Sequence, residues 1–298
     1  MITGIKGSRL RKAAAVAVTS GALLTTGALT AAPAQAVTTP SIVAAGGYVM
    51  NNSTGASLYT KAADTRRSTG STTKIMTAKV VLAQPNLNLD AKVVIPKGAS
   101  DYIVANNGSS AGLIVGDKVT VRQLLYGLML PSGCDAAYVL ADKFGAGTTH
   151  TARVNSFLGK MNSAAKSLGL KNTHFDSFDG IGRGSNYSTP RDLTKIASSA
   201  MKNATFRTIV KTKSYTAKTV TKTGSTRTMK AWTNTNTLLN NYSGTIGVKT
   251  GSGPEAKYCL VFAATRNGKT VIGTVLASTS VTQRETDAKK LLNYGFAK

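Results

Sequence analysis

Strand-like segments at both ends of this 298-residue chain enclose a middle that reads as helix, and that order constrains the fold more than any other feature. Near the N-terminus, Tyr48-Val49-Met50 and Ala56–Tyr59 flank the turn-forming run Asn52-Ser53-Thr54-Gly55, so Ala44–Thr60 predicts a hairpin. Toward the C-terminus, Thr216–Met229 is a polar, Thr-rich alternation with Gly224 at a turn, and Gly247–Gly251, Tyr258–Thr265 and Thr270–Ala277 are successive strand candidates. Asn267-Gly268 between the last two is a hairpin turn, and Val281–Tyr294 closes the chain as a helix. The economical solution is one antiparallel sheet built from both termini and flanked by helices, an α/β (α+β) architecture with an all-helical second region.

The middle carries the helix signals. Ile75, Met76, Lys79 and Val80 lie at helical spacing after Ser71, and Pro85 stops that run. Thr120 and Gln123 resemble a capping box ahead of an apolar Val121–Leu130. Asp135–Phe144 and His150–Leu168 follow, the second ended by Gly169. Thr189, Pro190 and Asp192 open another helix as N-cap, first and third residues. The expected division is an α/β region from 37–84 and 206–298 and a mainly helical region over 85–205.

Residues 1–36 have a different composition. Lys6, Arg9, Arg11 and Lys12 precede an apolar run, Ala13–Ala32, and then Ala34-Gln35-Ala36. This is the layout of a secretory signal peptide, and an uncleaved anchor is the alternative. Cleavage after Ala36 lowers the formal charge from +25 to +21. So basic a surface favours polyanions, with an anionic wall polymer or a membrane surface the candidate partner outside a cell. Aromatic residues make up 6% of the chain, too few stacking platforms for nucleic acid to be an expected partner. Two cysteines, Cys134 and Cys259, do not make a disulfide framework, and both are expected as free thiols. With His150 and His174 the only histidines, neither a metal site nor a Ser-His-Asp triad is expected, and no cofactor is called for.

Three short segments carry chemistry: Ser71-Thr72-Thr73-Lys74, Ser132-Gly133-Cys134 and Lys249-Thr250-Gly251. A serine and a lysine three residues apart share a helix face, so the Lys74 amine reaches the Ser71 hydroxyl. An amine is a base only when neutral, and burial or a second lysine across a cleft favours that form. Ser71 also stands where its helix begins, so its backbone N–H suits a developing oxyanion. Ser132 follows Pro131 in a break between helices, placed either to relay a proton or to cap the helix near Asp135. Lys249-Thr250-Gly251 is expected to end a short strand, Thr245–Val248. There Lys249 and Thr250 can bind a carboxylate, Gly251 leaves room for a facing helix, and the Ser252 N–H can serve as second oxyanion donor. Decoy copies exist. Ser163-Ala164-Ala165-Lys166 and Ser199-Ala200-Met201-Lys202 lie inside helices, and Lys222-Thr223-Gly224 sits at a hairpin turn, so all three read as structural.

The chain resembles the serine-type D-alanyl-D-alanine peptidases, the low-molecular-mass penicillin-binding proteins, and most of all their small actinobacterial DD-transpeptidase type. Three blocks carry the resemblance: Leu58–Lys61 with Asp64–Thr77, Asn172–Phe175 with Tyr187–Leu193, and Gly247–Gly251. It implies a β-lactamase/DD-peptidase-like fold. It also implies a secreted enzyme acting on peptidoglycan stem peptides that end in D-Ala-D-Ala. In that scheme Ser71 is the nucleophile, Lys74 its base and Ser132 the proton relay. Lys249, Thr250, Gly251 and Ser252 bind substrate, water or an amine takes the acyl group, and β-lactam antibiotics acylate Ser71. The second motif departs from the family pattern, because Cys134 stands where Asn is usual. A thiol is a weak donor and acceptor, so contacts to the substrate amide are expected to be poorer. A β-lactamase and a non-catalytic cell-wall-binding protein are the alternatives.

Overall fold

A computed structural model describes Ala15, residues 37–182 and residues 184–298. The signal-peptide reading of residues 1–36 therefore falls outside the described residues, apart from Ala15. Val37–Lys298 forms one compact unit with its own core.

The first strands are β1 (Gly46–Asn51) and β2 (Ser57–Lys61), followed by helix α1 (Lys74–Leu82). The middle holds β3 (Lys92–Val94), α2 (Lys97–Asn106), β4 (Lys118–Thr120), α3 (Val121–Met129), α4 (Cys134–Phe144) and α5 (His150–Ser167). Next come α6 (Pro190–Ala200), α7 (Ala204–Lys211), β5 (Ser214–Tyr215), β6 (Lys218–Val220), β7 (Thr226–Thr228) and β8 (Trp232–Thr233). The chain closes with α8 (Leu238–Asn241), β9 (Thr245–Gly253), β10 (Lys257–Arg266), β11 (Lys269–Ser278) and α9 (Val281–Ala297).

The expected sheet is present. Both ends of the chain build it in the order β2-β1-β11-β10-β9, with β1 antiparallel to β11 from Gly46 opposite Leu276 to Asn51 opposite Val271. Central strands buried on both faces need apolar residues at successive positions. β10 supplies Cys259 to Ala264, all buried. Helix α9 packs on one face with Ala288, Leu291 and Leu292 against Val49, Leu260 and Val271. The other face meets the larger core, where Ile75 and Met76 of α1 join Leu124, Leu125 and Leu128 of α3.

Local signals were legible. Thr120 Oγ1 accepts from the Gln123 N–H at 3.1 Å, and the Gln123 side chain accepts from the Thr120 N–H at 2.9 Å, a complete capping box. Asn267 and Gly268 have φ of 47° and 76°, as a two-residue hairpin turn requires. The strand carrying the third motif differs from expectation. β9 does not stop at Val248 but continues to Gly253, because its pairing with β10 persists to Gly253 opposite Lys257. The middle, 85–205, also contains α2 and the strands β3 and β4, three residues each and too short for a periodic signal. They join β6 and β7, which fall within the Thr216–Met229 alternation, in a second sheet of order β3-β4-β6-β7.

Candidate active site

Ser71 lies in a 3-10 turn, Gly70–Thr73, that leads into α1. Two threonines brace this turn: Thr69 Oγ1 and Thr73 Oγ1 are 2.7 Å apart, and Asn186 Nδ2 donates to both at 3.1 Å. One helical turn on, Lys74 is wholly buried. Its side-chain nitrogen is 2.9 Å from Ser71 Oγ, 3.0 Å from the Asp179 carbonyl oxygen and 3.3 Å from Cys134 Sγ. The expected serine–lysine pair is thus formed, with two further acceptors that aim the amine.

Ser132 sits at φ 67°, a left-handed conformation uncommon for a residue with a β-carbon. The cap reading of this serine does not hold: Gly133 is the N-cap of α4 and no side chain caps it. The backbone around Ser132 is pinned, with Ser109 Oγ donating to its carbonyl at 2.6 Å and Cys134 N donating to Ser109 O at 2.7 Å. Its hydroxyl is buried and makes no hydrogen bond within the protein. A strained serine with a free hydroxyl beside a cleft is poised for a ligand atom. Cys134 and Cys259 are both free and buried. Burial pushes the Cys134 thiol above its ordinary range against the opposing pull of Lys74.

Six of the eight residues singled out in the sequence line one cleft of about 980 Å³: Ser71, Ser132, Cys134, Thr250, Gly251 and Ser252. The other two, Lys74 and Lys249, lie beneath its floor, 0% and 1% exposed. Thr250 Oγ1 is 2.6 Å from Thr235 Oγ1, which orients its hydroxyl. A β-carbon on Gly251 would lie 2.7 Å from Thr69 O and 3.0 Å from Thr72 N, so only glycine lets β9 approach the nucleophile turn this closely. Lys249 Nζ donates to Thr250 O at 3.0 Å. Burial first, and the charge of Lys74 second, hold its amine well below the ordinary lysine range. Two ammonium groups in one dry floor repel, so the cleft favours at least one neutral amine.

That depression sets a pH dependence. Between the lowered value in the folded protein and the ordinary lysine value, the unfolded chain holds a proton that the folded chain lacks. Stability therefore rises with pH across this window, by up to about 1.4 kcal/mol per unit. Lys249→Met should flatten that rise. Urea denaturation from neutral to alkaline pH checks it, and an unchanged slope in the variant would exclude Lys249 as the source.

Sequence reasoning missed three contributors. Asp179 is fully buried, its carboxylate accepting from Tyr102 Oη at 2.9 Å and from the Ile181 N–H at 2.9 Å while its carbonyl accepts a hydrogen bond from Lys74 Nζ. Asn186 holds the nucleophile turn as described. Arg284, in the first turn of α9, lines the cleft at 5% exposure; Nη1 reaches Cys259 O at 3.4 Å and Nε is buried without a partner. A guanidinium with open valence at a cleft is a carboxylate anchor. Nothing in the local sequence distinguishes it from the other surface-helix arginines.

The loop that follows the cleft-lining Ser109 depends on Asp135. Its carboxylate accepts from Ala111 N at 2.9 Å, Leu113 N at 3.1 Å and Ser110 Oγ at 2.7 Å. Asp135→Ala strands these donors and should cost about 3 kcal/mol. Denaturant unfolding measures it, and a loss below about 1 kcal/mol would mean the loop re-satisfies itself.

The arrangement joins an activated hydroxyl, a buried amine, a second free hydroxyl and a glycine-gapped strand edge, the parts of a serine acyl-transfer site. Among the described residues no group of three or more His, Cys, Asp or Glu is placed to hold a metal ion. A family model described as D-alanyl-D-alanine carboxypeptidase (Peptidase_S11) matches residues 33–280. The chain belongs to this family. It is 78% identical over 289 residues to a D-alanyl-D-alanine carboxypeptidase of Streptomyces sp. (strain K15), covering 97% of this chain and 99% of that protein. The crystal structure of the Streptomyces K15 DD-transpeptidase superposes with a TM-score of 0.87 at 80% identity, over 88% of this chain and 100% of that one. A more distant relative, the D-alanyl-D-alanine carboxypeptidase DacF of Bacillus subtilis (strain 168), is 31% identical over 254 residues, 84% of this chain and 61% of that protein. This peptidase therefore shares the mixed α/β fold of the DD-peptidases. The motifs that the sequence singled out occupy its main cleft.

Proposed function

We propose that this peptidase is a secreted serine DD-carboxypeptidase/transpeptidase that cleaves the terminal D-Ala-D-Ala bond of peptidoglycan stem peptides through an acyl-enzyme on Ser71. The observation that carries the reading is the 2.9 Å contact between Lys74 Nζ and Ser71 Oγ at the floor of the cleft. In the unprotonated form that a base requires, Lys74 takes the Ser71 proton as Oγ attacks the carbonyl of the penultimate D-Ala. Negative charge that develops on that oxygen meets the N–H groups of Ser71 and Ser252. The free Ser132 hydroxyl passes a proton to the departing amine, the C–N bond breaks, and D-Ala leaves. Water or an amine then attacks the ester and restores Ser71.

The substrate carboxylate belongs on the β9 side of the cleft. Thr250 and Ser252 offer hydroxyls there and Arg284 a charged donor, while Lys249 lies buried beneath the floor and does not line the cleft. β-Lactams present an amide and a carboxylate to the same groups, which is why they are expected to acylate Ser71. With Cys134 in the place of a family Asn, the substrate amide loses a strong partner. Residues 1–36 act as the export signal, and the released protein stays near the wall or membrane.

Release of D-Ala from a peptide ending in D-Ala-D-Ala, with and without an added amine acceptor, tests the reading. D-Ala release, with transfer product appearing when the amine is present, is expected. Lys74→Gln should lower the rate by about 10³ or more, because among the described residues no other amine touches Ser71 Oγ. Near-native turnover by that variant would remove Lys74 from the proton path.

A further inference from the structure

Away from the cleft, the outer face of the small sheet carries an unusual mixture of groups. The register sets Val94 opposite Lys118, Lys118 opposite Val220, and Lys92 opposite Thr120. Residues directly opposite share a face, so one surface of β3-β4-β6 presents Lys92, Val94, Lys118 and Lys218, all exposed. The inner face, Val93, Val119 and Thr219, turns to the core. A turn abuts this sheet end: Gly116 N donates to Ile95 O at 2.9 Å, and Asp117 N to Ile114 O at 3.1 Å. That turn exposes Ile114 and Val115. The stem of Lys222 lies along it, its Cδ 3.6 Å from where a Gly116 β-carbon would be.

Val94, Ile114 and Val115 are 54%, 38% and 46% exposed, half of the exposed large aliphatic side chains among the described residues. Scattered single aliphatics need no explanation, but three together with four lysines do. The nearby acidic groups do not offset the charge. Asp117 is 2% exposed and bonds Arg227 and Thr219 on the inner side. Asp90 pairs with Arg122, and Asp101 with Lys97.

We propose that this face docks the protein on an anionic lipid bilayer, with Val94, Ile114 and Val115 entering the headgroup boundary while Lys92, Lys118, Lys218 and Lys222 meet lipid phosphates. The reading rests on the extracytoplasmic location proposed above. A soluble polyanion would engage the lysines but gain nothing from three exposed aliphatic side chains, whereas a bilayer rewards both. Among the described residues no helix is long and apolar enough to cross a membrane. The docking segment is also continuous with the cleft wall. Ser109 lines the cleft, and Asp135 anchors Ala111 and Leu113 on the way to Ile114.

Vesicle flotation of the Val37–Lys298 unit tests this, since residues 1–36 would themselves bind lipid. Vesicles rich in phosphatidylglycerol are compared with pure phosphatidylcholine, and benzylpenicillin labelling of each sample reports the active site separately. The unit should float with the anionic vesicles only. Lys118→Ser with Lys218→Ser should cut binding by about tenfold or more, since each lysine near an anionic surface contributes about fivefold. The triple change Val94→Ser, Ile114→Ser, Val115→Ser should cut it by about tenfold at unchanged charge and unchanged labelling. If the triple variant melts early, Val94→Ser alone should still give about threefold. Failure of the native unit to float would overturn the proposal while labelling stands. So would losses confined to the lysine variant, with binding to a purified glycerol-phosphate polymer instead, because that pattern marks a wall-polymer site.

Discussion

Brief exposure to benzylpenicillin should add a single antibiotic mass to the purified protein, and Ser71→Ala should carry none. Ser71 is the hydroxyl that the buried Lys74 amine touches, and the cleft above it is lined by the groups that a β-lactam carboxylate and carbonyl would meet. Removing a nucleophile in an acyl-transfer site costs on the order of 10⁴–10⁶ in rate. No second serine inherits the role. Among the described residues Ser132 Oγ has no lysine partner, and Ser163 and Ser199 lie on helices α5 and α6 outside the cleft. Intact-mass spectrometry reads the result directly. Fast loss of antibiotic without an adduct would indicate a β-lactamase, and an intact antibiotic without an adduct would indicate a protein that does not acylate.

Gly180→Ala should slow the same acylation by about 100-fold or more, although residue 180 has no side chain to react. Gly180 has φ 95°, and a β-carbon there would lie 2.0 Å from Gly70 O and 3.1 Å from Ser71 N. Both strain and clash must be relieved by moving one backbone away from the other. Either movement displaces the Ser71 N–H or the Asp179 carbonyl that aims Lys74. The hydroxyl and amine remain, but their geometry does not. Second-order labelling rates beside thermal melts separate this effect from unfolding. A folded variant that labels at the native rate would show that the loop can yield without disturbing the nucleophile.

These two positions differ in how they are written in the chain. Ser71, Lys74, Ser132 and Lys249-Thr250-Gly251 are legible because their chemistry demands particular side chains at fixed short spacing, and a 3-10 turn or helix converts such spacing into contact. The sheet was legible for a similar reason: alternation, a two-residue turn at Asn267-Gly268 and buried apolar runs are local signals. Gly180, Asp179, Asn186 and Arg284 are not legible. Their roles depend on backbone groups far away in sequence, as when Asn186 reaches Thr69 and Thr73 or Gly180 packs on Gly70. The true length of β9 was hidden too, since pairing with β10 and not composition carries the strand through the motif to Gly253.

The sequence by itself determined which side chains are candidates for catalysis and the order of the main-sheet strands and the longer helices, because both follow from short-range stereochemistry. Only the tertiary structure decided that Lys74 and Lys249 share one dry floor, that Lys249 is held well below the ordinary lysine range, and that the Ser132 hydroxyl is left unpaired. Burial and charge proximity are properties of packing between distant segments, and no window of sequence contains them.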